Sequence, residues 1–330
     1  MTKNKIIVRC IRNFAKSFLG FVFSKTLAAG RVARSDLTVF AFHDVSDQPS
    51  QFAKKYGLCI SLDTFRLQCQ WIKLHFNVIH PADLVSGIDL PKNAAMISFD
   101  DGFVGSFENG LVILEQLNLP SVLFLNMASI INKTPIISAV ASYLDQSVPA
   151  FSTYAKRIGL RPPFHLTLHP SALSQFQDEY GLIDLDLVTQ YQGRFADLDL
   201  VKKWDARPLV CYGNHLYEHW NSVALSKEEF KEQYKKNETA LQNLSNYVNL
   251  FAFTNGQPHT CFTEENVSIL KLLGAGGVFS CFGGVNLNYK ADFLLGRISL
   301  GPDDNSSSRL SFRIARALTR VSGHFVSGQH

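Results

Sequence analysis

Two adjacent carboxylates, Asp100 and Asp101, follow an apolar run and precede Gly102. Two like charges side by side in a tight turn raise each other's pKa, and a bound metal ion relieves that cost. One carboxylate can then ligate the ion while its neighbour serves as a general base. Because Asp-Asp-Gly also occurs in solvated surface turns, the doublet alone leaves both interpretations open.

His215 and His219 form an H-x-x-x-H motif, whose spacing predicts both imidazoles on one face of a helical turn. Together with Asp101 they offer two nitrogens and one oxygen, a set that leaves coordination positions free and is typical of catalytic zinc sites. His165 and His169 have the same spacing, but their proline-bounded, alternating segment favours extended backbone. Four extended residues span about 13 Å, so this second pair is predicted not to share an ion.

The elements that must position these residues follow a β/α rhythm, in which short apolar runs alternate with amphipathic helical patterns. The predicted strands are Leu37 to Phe42, Phe76 to Ile79, Ala94 to Phe99, Ser121 to Leu125, Leu209 to Tyr212, Leu250 to Phe253, Gly277 to Cys281 and Leu294 to Ser299. The predicted helices between them are Leu62 to His75, Phe107 to Leu117, Lys227 to Leu244 and Glu264 to Leu273. This pattern predicts a distorted α/β barrel of seven or eight parallel strands.

In such barrels, catalytic groups gather where the strands end. The polar residues at the predicted strand ends, with one inside the last strand, are His43, Asp100, Asp101, Asn126, Asn214, His215, Asn255 and Arg297. Asn126, Asn255 and Arg297 are predicted to bind substrate.

Three segments interrupt or flank the barrel, which is predicted over residues 36–300. An insertion at about 130–199 separates the fourth and fifth strands, a usual place for substrate selectivity. The leader, 1–35, is basic and partly apolar. It fits a helix lying on a membrane surface, a helix packed on the body or a secretory signal. Residues 301–330 predict an amphipathic helix and tail, which either close the barrel or contact a membrane.

The charge distribution and the cysteine spacing bear on two questions: whether the chain binds nucleic acid and in which cellular compartment it acts. The net charge is +4, but eight basic residues precede the first acid, Asp36, so the remaining chain is about −4 and does not resemble a nucleic-acid binder. The six cysteines are scattered without a close pair, which favours reduced thiols over a disulfide framework. These features predict a cytoplasmic protein, with membrane association through the leader as an addition.

The motifs together resemble those of polysaccharide deacetylases, over about residues 37–300. Ile97 to Gly102 is similar to the family's T-F-D-D-G motif, with Ser98 in place of threonine, and Gly213 to His219 is similar to G-S-H-x-x-x-H. Phe251 to Gly256 resembles the Y-P-x-G segment, with Thr254 replacing proline, and Leu295 to Ile298 resembles L-P-R-I.

The resemblance implies that Asp100 is the general base and that Asp101, His215 and His219 bind a divalent metal. Zinc is the expected ion, with cobalt and nickel as alternatives. The C-terminal region lacks the family's usual L-x-H acid. Val39 to Val45 instead resembles the early Y-H-x-V segment of exported-polysaccharide deacetylases, so His43 is predicted to be the general acid, against a structural role.

The implied activity is metal-dependent removal of acetyl groups, N-linked rather than O-linked, from a sugar or oligosaccharide in cell-envelope polysaccharide metabolism. Tyr217, Trp220 and Phe103 flank the motifs, where they either stack on a sugar ring or pack in the core. Three alternatives remain open: a catalytically silent glycan-binding protein, a hydrolase of another linear amide, and a non-haem iron oxygenase with a similar ligand set.

Overall fold

Ten strands form the framework of the chain in a computed structural model, which describes residues 37–318. They are β1 (Leu37–Phe42), β2 (Asp44–Val45), β3 (Cys59–Ile60), β4 (Asn77–Val78), β5 (Ala94–Asp101), β6 (Ser121–Leu125), β7 (Val210–Asn214), β8 (Tyr247–Ala252), β9 (Gly277–Ser280) and β10 (Leu294–Ser299). The leader, residues 1–35, and the tail beyond residue 318 were both subjects of prediction and lie outside the described residues.

Seven parallel strands close into a barrel in the order β1-β5-β6-β7-β8-β9-β10, with β10 returning to β1. β4 pairs with the first residues of β5, and β2 pairs with β3 in a separate small sheet. The predicted barrel is confirmed, and all eight predicted strands are present. Every residue of β1 and β5 is buried, as expected for strands covered on both faces.

Fourteen α-helices surround the barrel within the described part of the chain. They are α1 (Gln51–Tyr56), α2 (Leu62–His75), α3 (Pro81–Val85), α4 (Leu111–Leu117), α5 (Met127–Asn132), α6 (Ile137–Ser147), α7 (Pro149–Arg157), α8 (Phe164–Thr167), α9 (Pro170–Tyr180), α10 (Leu185–Gln192), α11 (Leu198–Asp205), α12 (Lys227–Leu241), α13 (Glu264–Leu272) and α14 (Ser307–Ala317).

Local sequence signals explain several helix ends. Ser61 accepts a hydrogen bond from the Thr64 amide at the start of α2, and Ser226 and Glu229 form a capping box at the start of α12. The predicted helix at Phe107 differs, because its first part is a π-helix, Ser106–Gly110, that leads into α4.

The segment between β6 and β7 is entirely helical in its regular structure and runs from α5 to α11. It is therefore slightly longer than the predicted insertion at 130–199. It has its own apolar core, in which the ring of Phe176 contacts the rings of Phe151 and Tyr154. This helical insertion stands at the carboxyl ends of the barrel strands, beside the predicted catalytic residues.

The C-terminal helix α14 packs on the barrel. Leu310 and Ile314 are buried in the same cluster as Ile298 of β10, which matches the closing-helix interpretation. Within residues 37–318, no helix is both long and apolar enough to cross a membrane.

Candidate active site

Asp101, His215 and His219 converge at the carboxyl end of the barrel. The Oδ1 atom of Asp101 lies 3.3 Å from His215 Nε2 and 3.1 Å from His219 Nε2, and all three side chains are buried. Among the described residues, these three form the group of acidic, histidine or cysteine side chains with the spacing of a metal site. The three predicted ligands are thus brought together by β5 and the loop after β7.

The local backbone that makes this convergence is not helical. His215 to His219 lie in an irregular loop, so the predicted helical turn is wrong. Leu216 and His219 both have positive φ angles, 61° and 64°, and Asp101 has φ 72°. Positive φ angles are uncommon outside glycine, least so for aspartate and histidine and most so for a bulky residue such as Leu216, so the surrounding packing must hold this loop in place.

The other ring nitrogens of the two histidines have defined partners. His215 Nδ1 lies 2.7 Å from the carbonyl of Ala252, to which only a protonated Nδ1 can donate. His219 Nδ1 lies 2.8 Å from the hydroxyl of Ser138, at the start of α6 in the insertion. Both contacts leave Nε2 directed at Asp101, the arrangement expected of metal-binding histidines. Nothing in the sequence around Ser138 singles it out for this role.

Asp100 is paired with Arg297 of β10. The guanidinium donates from Nη1 to Oδ1 at 2.6 Å and from Nη2 to Oδ2 at 2.7 Å. Burial raises the pKa of Asp100, but the charge and hydrogen bonds of Arg297, together with the nearby imidazoles of His215 and His43, hold that pKa below its ordinary value. Arg297 is 0% exposed, so its predicted contact with substrate is wrong, and it serves instead to keep Asp100 ionised.

His43 follows β1 directly and lies beside the same carboxylate. Its Nε2 atom is 3.9 Å from Asp100 Oδ2, and its side chain is 22% exposed. The predicted general acid is therefore on the same side of the barrel as the predicted base and within reach of solvent.

The two predicted substrate-binding asparagines have different surroundings. Asn126 is 0% exposed and donates to the carbonyls of His215 and Leu216. It therefore holds the loop that carries His215 and His219 and does not bind substrate. Asn255 lines the cavity above the site, and its Nδ2 atom has no hydrogen-bond partner in the described structure. That free donor is consistent with the predicted role.

A cavity of about 220 Å³ lies over these residues. Its polar floor contains His43, Asp100, Asp101, His215 and His219, and its walls include Phe52, Tyr56, Ile136, Ser138 and His165. Tyr217, Trp220 and Phe103 are each at least 93% buried and are not among the cavity residues, so core packing is their role. Tyr56 and Phe52, which the sequence motifs did not indicate, are the aromatic side chains at the cavity.

His165 also lines the cavity, although its neighbour in the motif does not. It lies in the short helix α8, and His169 caps α9, so the predicted extended backbone is wrong. His169 Nε2 lies 3.4 Å from Glu229, so the pair does not share a site. Burial, with His219 and Lys55 nearby, lowers the pKa of His165 to about 4. Its ring is therefore neutral at neutral pH.

Comparisons with known proteins agree with this geometry. The family model for polysaccharide deacetylase matches residues 87–277. Similar solved structures include the deacetylase PplD of Streptococcus pyogenes in complex with acetate, at 13% identity and a TM-score of 0.56, covering 83% of this chain and 96% of that one. IcaB from Ammonifex degensii has 17% identity and a TM-score of 0.52, covering 84% and 96%.

A de-N-acetylase from Aggregatibacter actinomycetemcomitans has 18% identity and a TM-score of 0.53, covering 84% of this chain and 99% of that one. At these identities the likeness shows the shared barrel. No curated protein matches the chain. The family model, however, spans more than half of the chain and contains Asp100, Asp101, His215 and His219. The chain therefore belongs to the polysaccharide deacetylase family and is a hydrolase acting on carbon–nitrogen bonds.

Proposed function

We propose that this protein is a metal-dependent hydrolase that removes N-acetyl groups from an amino sugar in a cell-envelope glycan. The observation that carries the proposal is the convergence of Asp101, His215 and His219 beside a second, ion-paired carboxylate, Asp100. A catalytically inactive, glycan-binding barrel would not require both a set of metal ligands and a buried general base at one end. The closed β/α barrel also speaks against the oxygenase alternative, which usually has a different fold.

The residues fit a divalent cation. Asp101 Oδ1 is buried, and it has no hydrogen-bond partner although two imidazole nitrogens lie nearby. Burial raises the pKa of Asp101, but the imidazoles of His219 and His215 outweigh burial and hold that pKa well below its ordinary value. An ionised carboxylate with two imidazoles suits zinc, and cobalt or nickel would also accept this set. When bound, such an ion polarises a carbonyl and lowers the pKa of water.

The chain's own residues supply the proton transfers. Asp100, kept ionised by Arg297, takes a proton from the attacking water at its carboxylate. His43, whose Nε2 lies 3.9 Å from Asp100 Oδ2, donates a proton to the departing nitrogen. The arrangement favours an N-acetyl substrate, because an amine leaves only when it is protonated. The similar solved chain from Aggregatibacter actinomycetemcomitans is itself described as a de-N-acetylase.

The state of the cysteines bears on where in the cell the protein acts. The described cysteines Cys59, Cys69, Cys211, Cys261 and Cys281 are all free thiols. We propose a cytoplasmic location, at the membrane face where envelope-glycan precursors are made, with peripheral contact through the basic leader. Cell fractionation followed by mass spectrometry of the N-terminus tests this proposal, and an exported, cleaved form would contradict it.

Acetate release tests the activity. The metal-free protein is incubated with N-acetylated oligosaccharides, with and without added zinc or cobalt, beside the Asp100→Asn variant. We expect metal-dependent release by the wild type and little by the variant. Metal binding without release from any oligosaccharide would favour the silent glycan-binding alternative. Release from simple linear amides but not from sugars would favour a different amide hydrolase.

A further inference from the structure

The barrel rim around the cavity has two unlike halves. In the order of the ring, β1, β5, β6 and β7 form one half, and β8, β9 and β10 form the other. The first half is covered by α1 and by the helical insertion, which also reaches the loop after β8 through Leu166. The second half contributes four cavity residues from the ends of its strands, which are Asn255, Gln257, Cys281 and Ser299.

The two parts that cover the first half, α1 and the insertion, pack against each other next to the barrel. Phe52 of α1 packs in one cluster with Phe103, which follows β5, and with Ile136 and Tyr191 of the insertion. The rings of Phe52 and Tyr191 are 6.0 Å apart. α1 and the insertion therefore share an apolar core above the end of β5.

Above that core, the two parts also touch beside the cavity. The rings of Tyr56 and His165 meet edge to face, with centroids 5.2 Å apart. The Tyr56 hydroxyl donates to Ser142 Oγ at 2.9 Å, and Lys55 Nζ donates to the same oxygen at 3.0 Å. Since Tyr56 and His165 both line the cavity, their contact joins α1 and the insertion into one wall.

The exposure of the cavity residues shows where solvent enters. On the walled half Phe52, Ile136 and Ser138 are buried and Tyr56 is exposed, whereas Gln257 and Ser299, on the other half, are both exposed. Solvent thus reaches the cavity over β8 to β10. A glycan chain that loses an acetyl group from an internal unit must extend away from the site in two directions, and the wall stands across one of them.

We propose that the cavity accepts the acetylated unit at an end of a glycan, with the rest of the glycan extending over β8 to β10. This inference rests on the proposed deacetylase function and specifies its substrate: a terminal N-acetylated unit, to the exclusion of internal units. Within it, Tyr56 and His165 determine specificity by blocking passage and need not take part in the chemistry.

The test uses the dimer and the hexamer of N-acetylglucosamine with the zinc-loaded full chain. Products are sequenced by mass spectrometry to locate each free amine. We expect one acetate per chain, always from a terminal unit, and similar kcat/KM for the dimer and the hexamer. Release from internal hexamer units by the wild type would overturn the inference and leave the deacetylase function intact. No release from any oligomer would refute the deacetylase function itself, and this inference with it.

Variants of the wall give a second measurement. The Tyr56→Ala/His165→Ala double variant removes the joining contact, so we expect free amines at internal units of the hexamer. Tyr180→Ala, at an exposed aromatic residue of the insertion that does not line the cavity, is the matched control and should keep the terminal pattern. Thermal unfolding by circular dichroism checks that both variants are folded. A folded double variant with an unchanged terminal pattern would contradict the role of the wall.

Discussion

The strand ends of the barrel and the helical insertion contribute to one cavity in different ways. The strand ends supply groups that can react: His43 after β1, Asp100 and Asp101 in β5, and the histidines after β7. The insertion supplies surroundings: the hydroxyl of Ser138 against a ligand and the ring of His165 in the wall. On the proposals above, the kind of chemistry and the choice of substrate are therefore encoded in separate parts of this chain.

The largest expected effect comes from the strand ends, at the proposed metal ligand Asp101. Asp101→Asn removes the only negative ligand of the predicted set. We expect zinc binding, measured by isothermal titration, to be lost, and acetate release to fall to the background level, as it should in the wild type after treatment with a chelator. Full activity with zinc restored would show that the triad is not the metal site.

Loss of the base should leave metal binding in place. For Asp100→Asn we expect kcat to fall about 10²- to 10⁴-fold, the usual contribution of a general base, while zinc affinity stays near that of the wild type. Steady-state kinetics and titration together separate the two carboxylates. An equal loss of zinc affinity in both variants would mean that the adjacent acids act as one unit.

The insertion is expected to act on the metal more weakly, through Ser138. Removing a hydrogen-bond partner of a ligand typically lowers metal affinity about 10- to 100-fold, so we expect this loss for Ser138→Ala, measured by competition with a chelator. Ser129→Ala is the matched control, because Ser129 is a buried serine whose hydroxyl has no partner in the described structure. Similar affinities for the two variants would contradict a positioning role for Ser138.

The smallest effect is expected at His165. Since the neutral ring of His165 lines the cavity, we expect it to make one hydrogen bond to the bound sugar. Such a bond contributes about 0.5 to 1.5 kcal/mol, so His165→Gln should raise KM about two- to tenfold and leave kcat nearly unchanged. Steady-state kinetics on the dimer of N-acetylglucosamine provides the measurement. A fall in kcat of the size expected for Asp100→Asn would place His165 among the reacting groups. The strand ends and the insertion would then no longer differ in the way described above.

The barrel was predictable because its signals are local and repeated. The run Ala94 to Phe99 is apolar throughout and ends in two acids, so both the strand and its functional end can be read without knowing the partners. The spacing of His215 and His219 indicated two residues that the structure brings together with Asp101, even though the predicted helical turn was wrong. What matters for convergence is a short loop, and positive φ angles at Leu216 and His219 cannot be read from residue type.

The surroundings of the site were not predictable for a physical reason. Ser138 and His165 reach the cavity only through the packing of the insertion on the barrel, which depends on contacts far apart in sequence. Arg297 was located correctly on the last strand, but closure of the barrel decides which residue it meets. From sequence alone, a charged residue within a strand can equally bind substrate or form an ion pair. The substrate-binding prediction for Asn126 was wrong for a similar reason, because its partners, the carbonyls of His215 and Leu216, lie far away in the sequence.

The pairing of Asp100 with Arg297 links catalysis to the order of synthesis. The two residues are 197 positions apart in the chain, and β10, which carries Arg297, also joins β9 to β1. A growing chain therefore contains the whole ligand triad before it contains the counter-ion of its base. Asp100 gains its ion pair with Arg297 only when β10 enters the sheet. Closure of the barrel and formation of the ion-paired base are therefore a single event.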